Sequence, residues 1–145
     1  MRALVQRVYE AHVEVAGQVV GSTGPGLLVY LGVAPADTPE MADKLAAKVG
    51  NLRIFGDEQG KLNLSVRDAR GGVLVISNFT LLADASKGRR PAFTGAAAPE
   101  PANALYERFV KALADMGVPV ACGVFGADMT IRSQAAGPVN IIIDL

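Results

Sequence analysis

The chain has 145 residues, half of them hydrophobic, with 14 basic and 14 acidic side chains and a formal net charge of zero. That length suits one domain spanning residues 1–145 with a substantial core, and the neutral balance gives no electrostatic sign of a nucleic-acid partner. The single cysteine, Cys122, excludes an internal disulfide and a multi-cysteine zinc site. No apolar run has the length of a membrane crossing, and charge interrupts the opening Met1–Val8 stretch, unlike a signal peptide, so a reducing cytoplasm is the expected setting.

Glu10-Ala11-His12-Val13-Glu14-Val15 alternates polar and apolar residues and predicts a half-buried strand. Gly17 turns it back into a hairpin partner at Gln18-Val19-Val20. Gly24-Pro25-Gly26 is a turn, and Leu27–Val33 is a continuous apolar run that suits a central strand buried on both faces. Thr38-Pro39-Glu40 opens a helix with an N-cap hydroxyl, a proline at the first helical position and an acid in the first turn. Met41, Leu45, Val49 and Leu52 then recur at helical spacing. Gly56–Gly60 is a loop, and Gly71-Gly72 precedes a second buried strand, Val73–Ile76. After an irregular stretch from Ala83 to Pro101, a second helix carries the stripe Leu105, Phe109, Leu113 and Met116 and stops at Gly117 and Pro119. Val120–Phe125 and Met129–Leu145 complete the sheet. The pattern predicts a compact single-domain α/β fold. Its sheet is expected to be curved, barrel-like and largely antiparallel, with the two main helices packed on one side.

Gly137-Pro138 interrupts the last of these runs, between Met129–Ser133 and Val139–Ile143. Proline donates nothing to a sheet ladder, so it marks an edge, a bulge or a corner, and glycine before it takes backbone angles closed to other residues. The pair fits a plain turn or bulge. It also fits a rigid corner whose carbonyls face one way for recognition. Ile141-Ile142-Ile143 beside it fits either core burial or an interface.

The chemistry is narrowed by what is missing. His12, the only histidine, alternates onto the polar face with Glu10 and Glu14, which disfavours a histidine-dependent triad. There is no motif for a metal, a calcium loop or a Walker-type phosphate loop. Asp84 and Asp128 are acids available for paired-carboxylate hydrolysis, but nothing in their spacing joins them. An enzyme made from this sequence is expected to use no metal, no cofactor and no strong side-chain base, relying on positioning and on backbone N–H groups aimed at developing charge. Ser77-Asn78-Phe79-Thr80 forms the polar exit of the buried strand Val73–Ile76. Its hydroxyls fit either the satisfaction of backbone groups at a strand end or a functional site, with Thr80 as donor or nucleophile. Lys87-Gly88-Arg89-Arg90 is the one compact basic cluster, a solvated loop or a phosphate-binding patch.

Together, Ser77-Asn78-Phe79-Thr80-Leu81 and Gly137-Pro138-Val139 closely resemble the motifs of the D-aminoacyl-tRNA deacylases. The likeness extends along the whole chain, through Ala3-Leu4-Val5-Gln6-Arg7-Val8, Gly26-Leu27-Leu28-Val29, Arg53-Ile54-Phe55, Arg90-Pro91 with Phe93, and Ala127-Asp128-Met129. The resemblance implies a cytoplasmic homodimer that hydrolyses the ester between a D-amino acid, or glycine, and the 3′-terminal adenosine of tRNA. It implies that Ser77, Asn78, Phe79 and Thr80 form the catalytic site and that Gly137, Pro138, Val139 and Asn140 meet the substrate. The Gly137-Pro138 bond is then cis and reaches from one subunit into the active site of the other, where its carbonyls exclude an L side chain. Lys87, Arg89 and Arg90 become the candidate contact for acceptor-stem phosphates.

Asn78 stands where the family usually carries Gln. Ala135-Ala136-Gly137-Pro138-Val139-Asn140 stands where it usually reads Asn-x-Gly-Pro-Val-Thr. The expected mechanism has backbone N–H groups near Phe79 and Thr80 polarising the carbonyl and the ribose 2′-hydroxyl orienting water, with Thr80 as covalent nucleophile the competing role. The rival functions are a catalytically silent module that holds an aminoacyl or peptide terminus, and a related editing deacylase acting mainly on glycyl-tRNA.

Overall fold

Alternation at the start of the chain begins well before Glu10. In the computed structural model, which describes residues 1–145, strand β1 runs unbroken over Arg2–Val15. β2 (Gln18–Thr23) returns as its hairpin partner, and β3 (Gly26–Gly32) follows the Gly24-Pro25 turn. Helix α1 (Pro39–Gly50) starts as its sequence requires: Thr38 Oγ1 accepts the Met41 N–H at 3.4 Å and Pro39 occupies the first turn. A small ribbon, β4 (Phe55–Gly56) with β5 (Leu62–Leu64), leads to β6 (Gly72–Ser77) and a 3-10 turn at Phe79–Leu82. Helix α2 (Pro99–Asp115), β7 (Val120–Cys122) and β8 (Thr130–Asp144) complete the chain.

The main sheet has the order β2-β1-β3-β6-β7, with β8 on the other side of β1. All pairings of β1 are antiparallel, whereas β3–β6 and β6–β7 are parallel, so the sheet is mixed. The parallel pairs arise because each of these connections carries a helix or a long crossover, which hairpins do not. The sheet nearly closes on itself where Gly21 of β2 lies against the Cys122 carbonyl of β7; a β-carbon at Gly21 would collide with that oxygen.

Two cores result, one on each face of the sheet. Val8, Ala11, Val13, Leu28, Leu74 and Ile76 fill the barrel interior. Ala3, Val5, Leu27, Val29, Val73 and Val75 point the other way, under α1 and α2. Successive residues of β3 and β6 serve opposite cores, which explains their unbroken apolar character. Helix α2 buries Tyr106, Phe109 and Leu113, while Leu105 is only half-buried. The stripe thus begins one residue later than the apolar spacing predicts, because the phenol of Tyr106 finds a buried partner.

β8 runs as one strand through Gly137-Pro138. Gln6 pairs with Asn140 and Val8 with Ala135, so residues 136–139 bulge out opposite Arg7 alone. A second irregularity at Tyr9 lets Glu10 pair with Gln134. Ala11 to Glu14 then pair with Ser133 to Thr130, leaving His12 and Glu14 on the outer face, where the imidazole meets the Glu14 carboxylate at 3.1 Å.

Candidate active site

β6 carries its hydrophobic run out of the core and ends on polar residues. The Asn78 N–H donates to the Leu31 carbonyl at 2.8 Å, which prolongs the β3–β6 pairing by one bond. The backbone then turns. Asn78, with φ −147°, caps the 3-10 turn, and its Oδ1 accepts from the Thr80 N–H at 3.1 Å and from the Thr80 hydroxyl. At the far end of the turn, Arg2 Nη1 donates to the Leu81 carbonyl at 3.0 Å while its Nε meets Asp144 at 2.7 Å. The turn is therefore fastened at both ends, and the Phe79 N–H donates to no acceptor in the chain.

This turn forms one wall of a cavity of about 780 Å³. Ser77, Asn78, Phe79 and Thr80 supply its polar side; Tyr30, Ile76, Tyr106, Phe125 and Met129 are among the residues of its apolar side. Tyr106 Oη donates to the Val75 carbonyl at 2.8 Å, fixing the ring in the wall. Burial pushes the Tyr106 phenol well above its ordinary range, and neighbouring Cys122 adds to the shift. Burial also raises the Cys122 thiol and the Tyr30 phenol, so all three groups are neutral at physiological pH. Asp128 is the one charged side chain lining the cavity. Asp84 is not part of the wall; the Ser86 hydroxyl first, and then the Ser86 N–H that its carboxylate accepts at 2.9 Å, hold its pKa below the ordinary value. The two acids do not form a catalytic pair.

Phe79 and Phe93 meet edge to face at the cavity mouth, with ring centroids 5.2 Å apart, and both are substantially exposed. Next to Phe93, Asp84 and Ala92 exchange backbone hydrogen bonds of 2.8 and 2.9 Å and close a loop. Lys87, Arg89 and Arg90 lie on that loop, exposed and without carboxylate partners. The structure thus brings the Ser77–Thr80 cluster and the basic loop to the same region.

It does not bring Gly137, Pro138, Val139 or Asn140 to the cavity of their own chain. The Gly137-Pro138 bond is cis, and Gly137 has φ +123°, a conformation that favours glycine. Both residues are exposed, held from below by buried Ala136 and half-buried Val139. Arg7 sits under the bulge, with Nε donating to the Ala136 carbonyl at 3.2 Å and Nη1 to the Ile54 carbonyl at 2.7 Å. Gln6 Nε2 donates to Asn140 Oδ1 at 3.1 Å, so Asn140 holds the strand beyond the corner. Ile142, 65% exposed, pairs with Leu4, and Leu4 pairs with Tyr30 of the cavity wall. An apolar row therefore connects β8 to the cavity across one sheet face.

Two site residues had weaker signals in the sequence. Arg7 falls in register with Ala3 and Val5 on the face toward the helices, and a charge at an inward position was the available clue. Tyr106 lies three residues before Phe109 on the same helix face, but an adjacent leucine offered a more hydrophobic alternative.

A family model described as D-Tyr-tRNA(Tyr) deacylase matches residues 4–144. A D-aminoacyl-tRNA deacylase of Deinococcus radiodurans is 56% identical over 145 residues, covering 100% of both chains. Another, from Chloroflexus aurantiacus, is 54% identical over 99% of this chain and 90% of that protein. Among solved structures, a c-Myc DNA unwinding element binding protein superposes with a TM-score of 0.94 at 37% identity, over 100% of this chain and 99% of the other. A probable eukaryotic D-amino acid tRNA deacylase has a TM-score of 0.88 at 19% identity, over 99% of this chain and 98% of its own, a likeness of fold.

Proposed function

The chain belongs to the D-Tyr-tRNA(Tyr) deacylase family, and from that premise we propose that its cavity receives the 3′-terminal aminoacyl-adenosine of tRNA and lets water cleave the ester with no covalent intermediate on Thr80. The enzyme is a hydrolase that removes D-amino acids from tRNA. The observation that carries the mechanistic reading is the hydrogen bond from the Thr80 hydroxyl to the Asn78 amide oxygen. An amide oxygen accepts a hydrogen bond but does not take up the proton at neutral pH, so Thr80 lacks the base that a nucleophilic hydroxyl needs. With its proton engaged, Thr80 Oγ1 acts as an acceptor. The unpaired Phe79 N–H is available to stabilise charge on the ester carbonyl oxygen. The ribose 2′-hydroxyl then orders the attacking water.

The Phe79–Phe93 pair at the mouth suits stacking against the terminal adenine, and Lys87, Arg89 and Arg90 suit the phosphates that follow it. Stereoselection in this reading comes from a second subunit. The exposed cis corner outside its own cavity, and the apolar row Ile142, Leu4 and Tyr30, support a two-fold homodimer in which each corner enters the other cavity. Main-chain carbonyls there leave no room for an L side chain, whereas glycine has no side chain to exclude. The proposed place of action is the cytoplasm, where tRNA is charged.

The test is a deacylation assay with D-tyrosyl-, glycyl- and L-tyrosyl-tRNA, repeated with a 2′-deoxy terminal adenosine. Cleavage of the first two substrates, sparing of the third and sharp slowing of the deoxy forms are expected. An acyl-enzyme trapped on Thr80, or equal rates on the deoxy substrate, would overturn the water-attack mechanism.

A further inference from the structure

We propose that Arg2 is a positioning residue for ester cleavage: its guanidinium, aimed by Asp144, holds the Leu81 carbonyl and so fixes the 3-10 turn that presents the Phe79 N–H. This rests on the reading of the cavity as the ester-cleaving site. The turn depends on tethers from outside. None of its residues, Phe79–Leu82, is buried, so core packing does not hold it. Its own bonds are few. The Leu81 N–H reaches the Asn78 carbonyl at 3.4 Å, a long hydrogen bond, and the Ala83 N–H reaches the Thr80 carbonyl at 3.1 Å. The Leu81 carbonyl receives no backbone donor and is met instead by Arg2 Nη1 at 3.0 Å.

One rung of the main sheet supplies the whole clamp. Gly32 of β3, Arg2 of β1 and Asp144 of β8 lie side by side in register. Gly32 gives the turn its seat: a β-carbon there would lie 3.1 Å from the Asn78 carbonyl oxygen and 3.3 Å from both Leu81 Cβ and Leu82 Cγ. Arg2 donates to the turn. Asp144 orients Arg2 by taking the other edge of the guanidinium, with Nε at 2.7 Å and Nη2 at 3.2 Å. Hydrogen bonding from Arg2 holds the Asp144 carboxyl below its ordinary value, so the pair is ionised at neutral pH. A lysine, with one compact ammonium, does not fork between a carboxylate on one edge and a carbonyl on the other. The two side chains are 40% and 58% exposed, so their pairing adds little to global stability. What it controls is where a turn of four residues sits, and a small displacement of a catalytic donor is costly.

Arg2→Ala and Arg2→Lys variants separate positioning from simple attraction to tRNA. On D-tyrosyl-tRNA, both should lose between about 10- and 100-fold in kcat, with KM within about twofold of the parent. Their melting temperatures should stay within about 4 °C of the parent's, and both should sediment as the parent does. Millimolar guanidinium should restore much of the lost kcat to R2A, whereas ammonium should not. A parental kcat for R2A overturns the proposal. So does a defect of R2A that is confined to KM and absent from R2K, the signature of a phosphate contact made by charge alone. A loss of kcat that appears only with a change in sedimentation, or that ammonium repairs as well as guanidinium, overturns it too. A parent protein that leaves D-tyrosyl-tRNA intact is a different failure: it removes the reading of the cavity on which the proposal stands, and the proposal with it.

Discussion

Tyr106 combines two demands in one side chain. Its ring walls the cavity, and its hydroxyl gives the Val75 carbonyl, which also accepts the Gly123 N–H at 3.1 Å, a second, buried donor where β6 meets α2. Its phenol and the Cys122 thiol are both shifted upward, chiefly by burial, so the folded chain holds both in their neutral forms. Below the unfolded-state values, about 8.5 for a thiol and about 10 for a phenol, this contribution to stability is fully present. Above them the unfolded chain releases protons that the folded chain retains, and stability falls as pH rises. Tyr106→Phe should cost about 1 kcal/mol at pH 7 through the lost hydrogen bond and should flatten the alkaline decline. Urea unfolding between pH 7 and pH 10.5 measures both effects; an unaltered alkaline slope would exclude the phenol as its source.

At the scale of elements, the loop closed by Asp84 and Ala92 presents Lys87, Arg89 and Arg90 without internal partners. If Arg89 and Arg90 each meet a phosphate, replacing both with serine should weaken tRNA binding. It should also lower the slope of log K against log salt by about 2, at roughly 0.9 per duplex contact. Filter binding across a salt series reads this directly, and an unchanged slope would leave the cluster as a solvated loop. Helix α1 was legible because Thr38 and Pro39 are local signals that need no tertiary context. The parallel pairing of β6 with β3 and β7 was not, since strand direction depends on where a crossover returns the chain. The strand-end cluster Ser77–Thr80 was legible as polar residues following a buried run. That Asn78 would claim the Thr80 N–H was not, because the choice depends on turn geometry, which spacing does not encode.

For the whole molecule, the proposed assembly centres on Ile142. It lies exposed in line with Leu4 and Tyr30, on the sheet face that leads to the cavity. Ile142→Glu would place a charge in the middle of the proposed contact, where it would have to be desolvated without a partner. Sedimentation should give twice the 15.0 kDa chain mass for the parent and the single-chain mass for the variant. Deacylation should fall with the loss of the dimer, because each cavity would lose the corner supplied by its neighbour. A monomeric parent with full stereoselectivity would refute that arrangement. The corner also has a consequence within one chain. On one side of it, Ile131 faces the barrel interior; on the other, Ile141 and Ile143 pack beneath the helices, although all three have odd numbers. The intervening residues thus act as a phase shifter between two hydrophobic compartments. Removing or adding one residue there would transpose every later side chain to the opposite compartment, so the length of this segment is as constrained as its composition.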